Sequence, residues 1–164
     1  HGTGRTMRLL KVEGDRYQFG ISPAEKTVLL ALLERYPLIP LSYHKLSKKP
    51  SHERERDENQ ALLEEAMASR RSLLKRRVTQ MIQSEGRFQQ VQDHWVVTFA
   101  REEIEWLLQV LNDVRVGNWI LLGCPDPEDQ TNTPTREEKL AAAEMDLAAH
   151  FECMLLEAVD GHIR

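Results

Sequence analysis

The sequence predicts an α-rich α+β fold, in which a helical bundle of about four helices carries one or two small β-hairpins at its edge. Two observations support this fold class. Apolar residues recur at helical spacing in four segments, most of which have a recognisable start or stop signal. Two further segments alternate apolar and polar residues on either side of a short turn, which is typical of hairpins.

The chain has ordinary globular proportions. Its 164 residues are 41% hydrophobic and 29% charged, which suits one compact domain and is too apolar for a disordered chain. We expect residues 7–164 to form that single helical domain. The six residues before Met7, HGTGRT, resemble an expression scar, and the charge-dense residues 44–58 are expected to be a mobile linker.

The first part of the chain predicts a hairpin followed by a helix. MRLLKVEGDRYQFGIS alternates around Gly14, whose backbone can take a positive φ in the turn. Ser22 can cap the next helix, Pro23 suits its first position, and Glu25 completes a capping box. This helix should end near Tyr36, because the proline that follows disfavours helix at the residue before it.

Three more helices and a second hairpin are predicted downstream. The second helix covers residues 60–84 and stops at Gly86. The third begins near residues 98–100, and the last covers residues 136–160. The second hairpin is RFQQVQDHWVVTF, and its expected inward side chains are Phe88, Val91, Trp95, Val97 and Phe99. The expected apolar stripe of the last helix is Leu140, Leu147, Phe151, Met154, Leu155 and Ala158.

Charge and composition narrow the function classes. The formal net charge of −4 argues mildly against a nucleic-acid binder. No apolar run reaches the length of a membrane span and no signal-peptide pattern opens the sequence, so the cytoplasm is the default expectation. The histidines and cysteines lack metal-ligand spacing, and there is no phosphate loop or nucleophile elbow. We therefore expect no enzyme, no cofactor, no metal and no membrane partner.

A basic segment offers one candidate binding surface. RRSLLKRR, residues 70–77 of the predicted second helix, carries five positive charges, at Arg70, Arg71, Lys75, Arg76 and Arg77. A solvated helix surface explains such a run. The alternative is a docking patch for an acidic partner protein or for nucleic acid. DNA binding is less favoured, because no helix-turn-helix with a short glycine-containing turn accompanies the segment.

Three polar residues interrupt the apolar pattern of the third helix. In EWLLQVLNDVRVGNW, Asn112 and Arg115 share a face with Leu108, and we expect both to be half-buried. Asp113 lies about 100° further around the helix. A buried charge needs a partner, because its desolvation is otherwise costly. Arg115 should therefore meet an acid or helix-end carbonyls, or the three residues line a polar pocket for a ligand or a partner's side chain.

The same stretch resembles a family signature. WLLQVLNDVRVGNWILLG, residues 106–123, is similar to a motif of the mainly actinobacterial oxidative-stress regulator (AosR) family. The matching residues are Trp106, Leu107, Leu111, Asn112, Asp113, Arg115 and Gly123. The resemblance implies a cytoplasmic regulator rather than an enzyme, one that senses oxidants and acts through a transcription factor such as a sigma factor.

The two cysteines are the candidate redox residues of that resemblance. Thiol sensing in the family is associated with closely spaced cysteines, whereas Cys124 and Cys153 are 29 positions apart. A disulfide between them requires the start of the 125–135 loop to pack near the middle of the last helix, because bridged Cα atoms lie within about 7 Å. Isolated cysteines are most often buried small hydrophobes, and of the two we expect Cys124 to be the more exposed.

These observations favour a non-enzymatic cytoplasmic regulatory or adaptor protein that binds another protein, with a transcription factor of an oxidative-stress response as one candidate. The alternatives are a DNA-binding regulator that uses the basic helix, a thiol redox sensor, and a structural domain without separate activity. The expected partner-binding residues are Arg70, Arg71, Lys75, Arg76, Arg77, Asn112, Asp113 and Arg115.

Overall fold

The computed structural model describes residues 7–43, 53–126 and 133–161. In chain order its elements are β1 (Arg8–Glu13), β2 (Arg16–Ile21), α1 (Pro23–Arg35), a 3₁₀ turn (Leu41–Tyr43), α2 (Glu53–Gln83), β3 (Phe88–Val91), β4 (His94–Ala100), α3 (Arg101–Leu121) and α4 (Arg136–Asp160). The predicted α-rich α+β class is confirmed. None of the helices in these ranges is long and apolar enough to cross a lipid bilayer.

The two predicted hairpins join into one sheet. β1 pairs with β2 and β3 pairs with β4, and the two inner strands then pair with each other, giving the order β1-β2-β4-β3 with every pair antiparallel. In the central pair, Tyr17 lies opposite Phe99 and Phe19 lies opposite Val97. All four are buried. Because alternate residues of a strand point to one face, this register gives the sheet a single apolar face for the core.

The beginning of α1 has the predicted cap and one further bond. The Ser22 hydroxyl accepts the N–H of Glu25 at 3.1 Å, and Glu25 Oε1 accepts the N–H of Ser22 at 3.2 Å. The other carboxylate oxygen of Glu25 accepts the N–H of Met7 at 2.7 Å. Glu25 therefore ties the start of the helix to the chain that enters β1.

α2 begins earlier than the sequence predicts. Its first residue is Glu53 rather than Gln60, so residues 53–58 of the predicted mobile linker are helical instead. The rest of that linker, residues 44–52, lies outside the described residues, as do residues 1–6. Charge density suggested a linker, yet the stretch ERERDENQ contains no proline or glycine and allows pairs at helical spacing, such as Arg54 with Glu58.

α3 lies at the centre of the core, where it contacts α1, α2, α4 and β4. Its buried apolar residues are Ile104, Leu107, Val110, Leu111 and Val114. α4 packs against it antiparallel, and the stripe that α4 buries is Ala141, Ala148, Phe151, Leu155, Ala158 and Val159. The predicted stripe was wrong at Leu140 and Leu147, which are exposed, because small alanines take the contact positions. Val91 was also wrongly predicted to be inward; it ends the edge strand β3 and is exposed.

Arg87 joins three elements near the start of β3. Its guanidinium donates to both carboxylate oxygens of Glu103 in α3, each at 2.7 Å, and to the carbonyl of Thr98 in β4 at 2.7 Å. Its Nε donates to the carbonyl of Met81 near the end of α2 at 3.2 Å. A planar guanidinium satisfies these acceptors in directions that an ammonium group cannot match.

Candidate functional site

Asp113 fixes the segment that follows α1. Its Oδ1 accepts the backbone N–H of Leu38 at 2.6 Å and that of Ile39 at 3.4 Å. The residue is only 8% exposed, so of the three polar residues singled out in α3 it is the most buried. Charge-assisted bonds from the backbone offset the desolvation of a carboxylate in such a position. Asp113 therefore holds the segment against α3.

Gly117 lets the same segment approach α3 closely. A Cβ at this position would lie 2.7 Å from the Cβ and 2.8 Å from the Cγ of Leu38, closer than carbon atoms pack. No sequence pattern predicted a role for Gly117. Its signal is a glycine in the middle of a helix, which costs about 1 kcal/mol relative to alanine and calls for a packing reason.

The segment held by Asp113 forms one wall of an open cleft between α2 and α3. The cleft has a volume of about 370 Å³. Its lining consists of Tyr36, Ile39, Met67, Arg70, Arg71, Leu73, Leu74, Arg77, Trp106, Gln109 and Asp113. Aliphatic and aromatic side chains therefore share this cleft with three arginines, and four of the predicted partner-binding residues come together here.

Arg70 and Arg77 are available at the cleft. Arg77 lies over Trp106, with its guanidinium carbon 5.5 Å from the ring centre, a cation–π distance. Among the described residues, neither Arg70 nor Arg77 forms an ion pair with a carboxylate. Both side chains are exposed. Their charge can therefore be neutralised by a bound acidic group.

Lys75 and Arg76, also predicted as partner-binding residues, do not line the cleft. The Lys75 ammonium donates to the backbone carbonyls of Leu33 and Glu34, each at 3.1 Å, and so stabilises the carboxyl end of α1. Arg76 is exposed and lies roughly on the opposite side of α2 from Val78, the side that faces away from the core. Of the five basic residues, three arginines therefore line the cleft, Lys75 stabilises α1, and Arg76 points away from both.

The pKa of Tyr36, which lines the cleft, depends on its burial and on two nearby charged groups, Asp113 and Arg71. Burial raises the pKa of the Tyr36 hydroxyl above its ordinary value of 10.0, and the nearby Asp113 carboxylate raises it further. The Arg71 guanidinium has the opposite, smaller effect on that pKa. The hydroxyl is therefore neutral over the physiological pH range.

Asn112 and Arg115 face α4 instead of the cleft. Arg115 Nε donates to Glu152 Oε1 at 3.1 Å, and Arg115 Nη2 donates to Asn112 Oδ1 at 2.7 Å. The prediction that Arg115 meets an acid is confirmed. The prediction that Asn112 is half-buried is wrong, because Asn112 lies at the outer margin of the contact between α3 and α4 and is exposed.

The structure does not bring the two cysteines together. Both are free and exposed, so the expectation of burial is wrong for Cys153, whereas Cys124 is exposed as expected. Asn118 of α3 bonds to Glu144 of α4. Cys153 lies nine residues beyond Glu144, about 13 Å along the helix, whereas Cys124 lies beyond Asn118 in the opposite direction. That separation exceeds the reach of a disulfide within one chain.

No protein-family model, no curated protein and no solved structure matches this chain. The family resemblance of residues 106–123 stays a prediction, and the geometry of the cleft provides the evidence on function.

Proposed function

We propose that this protein is a non-enzymatic regulatory or adaptor module that binds another protein in the cleft between α2 and α3. One observation carries the proposal: an apolar and aromatic lining lies open beside arginines that pair with no carboxylate of the described residues. Arginine and aromatic side chains are enriched where protein interfaces bury their strongest contacts. Covering Met67, Leu74 and Trp106 with a partner removes apolar surface from water.

The chemistry of the lining supports binding rather than catalysis. Its titratable groups are a buried tyrosine, a carboxylate and three arginines. The Asp113 carboxylate is already committed to two backbone N–H groups. General acid–base or nucleophilic catalysis needs a group that exchanges a proton near neutral pH, and neither the arginines nor Tyr36 does so.

The resemblance at residues 106–123 supports a finer proposal. The partner is then a transcription factor, such as a sigma factor, and the protein acts in the cytoplasm during an oxidative-stress response. Thiol chemistry between Cys124 and Cys153 of one chain is not part of this proposal, because the two side chains lie at separate levels of the antiparallel helix pair.

A DNA-binding regulator is the second candidate, favoured by the exposed Arg70, Arg76 and Arg77. The DNA-binding proposal is weakened because the basic residues of the segment 70–77 do not share one surface. Lys75 is committed to α1 and Arg76 lies on another side of α2, which leaves a narrower basic footprint than phosphate neutralisation uses.

Site-specific photo-crosslinking tests the proposal. A photoreactive residue replaces the exposed Gln109 in the cleft, and a matched variant has it at the exposed Glu157 of α4. We expect one partner protein to be captured in stoichiometric amount from the cleft position only. The capture should fail when Arg70→Glu and Arg77→Glu are added, and persist with the control pair Arg76→Glu and Arg101→Glu, which changes the net charge equally. Equal capture from both positions, or none from the cleft, would contradict the proposal.

A further inference from the structure

α2 presents a row of apolar side chains to solvent beside the cleft. Leu62 is 64% exposed and Leu73 is 41% exposed, and Ala66 between them is also exposed. Eleven residues make close to three helical turns, so Leu62 and Leu73 lie on the same side of α2, about 16 Å apart. Since Leu73 also lines the cleft, the row extends the apolar surface along the helix.

A basic row runs next to the apolar row. Arg70 and Arg77 are seven residues apart, which is close to two turns and about 10 Å along the axis. Both line the cleft. α2 therefore exposes an apolar row and a basic row side by side to solvent, while another side of the helix packs Val78 and Met81 into the core.

We propose that the occupant of this surface is an acidic, amphipathic α-helix of the partner protein, lying along α2. This inference rests on the proposed function and specifies the chemistry of the partner. The apolar side chains of the docked helix cover Leu62, Leu73 and the cleft. Two of its carboxylates, seven residues apart, pair with Arg70 and Arg77. Seven residues are close to two turns in either helix, so the two carboxylates and the two arginines have the same spacing along the axis.

The elongated apolar row decides between an acidic helix and a nucleic acid. Phosphates satisfy Arg70 and Arg77 as well as carboxylates do. A nucleic-acid backbone, however, would leave Leu62 and Leu73 in contact with water, whereas an amphipathic helix buries them. The length of the row also exceeds what a small anion would cover.

Fluorescence anisotropy with defined probes tests the inference on the full chain. The first peptide is a stable helix of about six turns with a leucine seam and two glutamates at seven-residue spacing beside the seam. The second has the same composition, with the glutamates moved to the opposite face. A third replaces the glutamates by lysines, and the fourth probe is a short DNA duplex. We expect the first peptide to bind about tenfold or more tightly than the second and third.

Variants locate the binding. Arg70→Glu with Arg77→Glu should weaken binding of the first peptide about tenfold or more, and the uncharged substitution Leu73→Gln should weaken it to the same extent at low and high salt. Arg76→Glu with Arg101→Glu should change binding little, and circular dichroism should show that each variant is folded. Equal binding of the first and second peptides, no binding of either, or tighter binding of the DNA that is lost in the Arg70 and Arg77 variant would overturn the inference. Cleft-specific capture of a partner whose binding helix is not acidic would also overturn it, while protein binding in the cleft would stand.

Discussion

The Asp113 carboxylate accepts the backbone N–H of Leu38 at 2.6 Å, joining residues 75 positions apart in the chain. This bond places the segment after α1 against α3 and gives the cleft one of its walls. The integrity of the cleft therefore depends on a buried interaction, which substitution can test separately from the proposed binding.

Removing the Asp113 carboxylate should destabilise the fold. Asp113→Ala leaves the N–H groups of Leu38 and Ile39 without their acceptor, and we expect it to lower the free energy of unfolding by about 2–3 kcal/mol. Asp113→Asn keeps an acceptor oxygen and should cost less. Asn112→Ala, at an exposed site next to it, should cost under about 1 kcal/mol. Urea denaturation measures all three, and an equal loss for Asn112→Ala and Asp113→Ala would contradict this assignment.

Gly117→Ala should also destabilise the protein, although alanine favours helix by about 1 kcal/mol. The new Cβ overlaps Leu38, and we expect a net loss of about 1–3 kcal/mol in the free energy of unfolding. Leu38→Ala should not rescue it, since the Cβ that the new methyl group meets remains. Leu38→Gly should show a favourable coupling in a double-mutant cycle. A stabilised Gly117→Ala variant would show that the close approach is absent.

Tyr36 should make stability decline at alkaline pH. Its pKa is raised in the folded protein by burial and by Asp113. The unfolded chain therefore releases this proton first, above about pH 10, so the contribution is complete below that pH and is lost as pH rises through the folded pKa. Tyr36→Phe should show a shallower decline between about pH 9 and about pH 11 in urea denaturation. Parallel declines for the variant and the wild type would refute this role.

The Arg87–Glu103 and Arg115–Glu152 pairs should differ in their contribution to stability. The Arg87 side chain is 16% exposed and binds Glu103 through two bonds, and Arg87→Ala should cost about 2–4 kcal/mol. The Arg115 side chain is 41% exposed, and Arg115→Ala should cost about 1 kcal/mol or less. Arg87→Lys tests the need for the planar group. Thermal unfolding measures the stability of the three variants, and a larger loss for Arg115→Ala than for Arg87→Ala would be incompatible with these contacts.

Oxidation should modify the cysteines separately. Because Cys124 and Cys153 lie at different levels of the α3–α4 pair, we expect no disulfide between them within a folded chain. Peptide mapping after diamide treatment checks this, with Cys124→Ser and Cys153→Ser as the matched controls. A quantitative intrachain bridge in a chain with unchanged circular dichroism would contradict the described arrangement.

Elements with local signals could be predicted from the sequence. The turn at Gly14, the cap formed by Ser22 and Glu25, and the bounds of α4 each depend on residues that are close in the chain. The pairing of β2 with β4 could not be predicted in this way, because neither hairpin contains a signal for the other. The early start of α2 was missed because the same charged residues suit an exposed helix and a linker.

The candidate site was predicted in part. The sequence singled out Arg70, Arg77 and Asp113, which the structure brings to one cleft. It could not rank Asp113 above Asn112, since burial on α3 depends on where the segment after α1 and the helix α4 pack. For the same reason it gave Gly117 no role, although a mid-helix glycine is a visible signal.

The pairing of β2 with β4 also constrains how the chain acquires its structure. It joins residues from 74 positions apart, at Ile21 and Trp95, to 84 positions apart, at Arg16 and Ala100. A two-stranded hairpin is at best marginally stable alone, and closing so long a loop is a slow, entropically unfavourable step. During synthesis, the first hairpin therefore emerges well before the strand that stabilises it, and one edge of β2 has no hydrogen-bonding partner strand until β4 has left the ribosome.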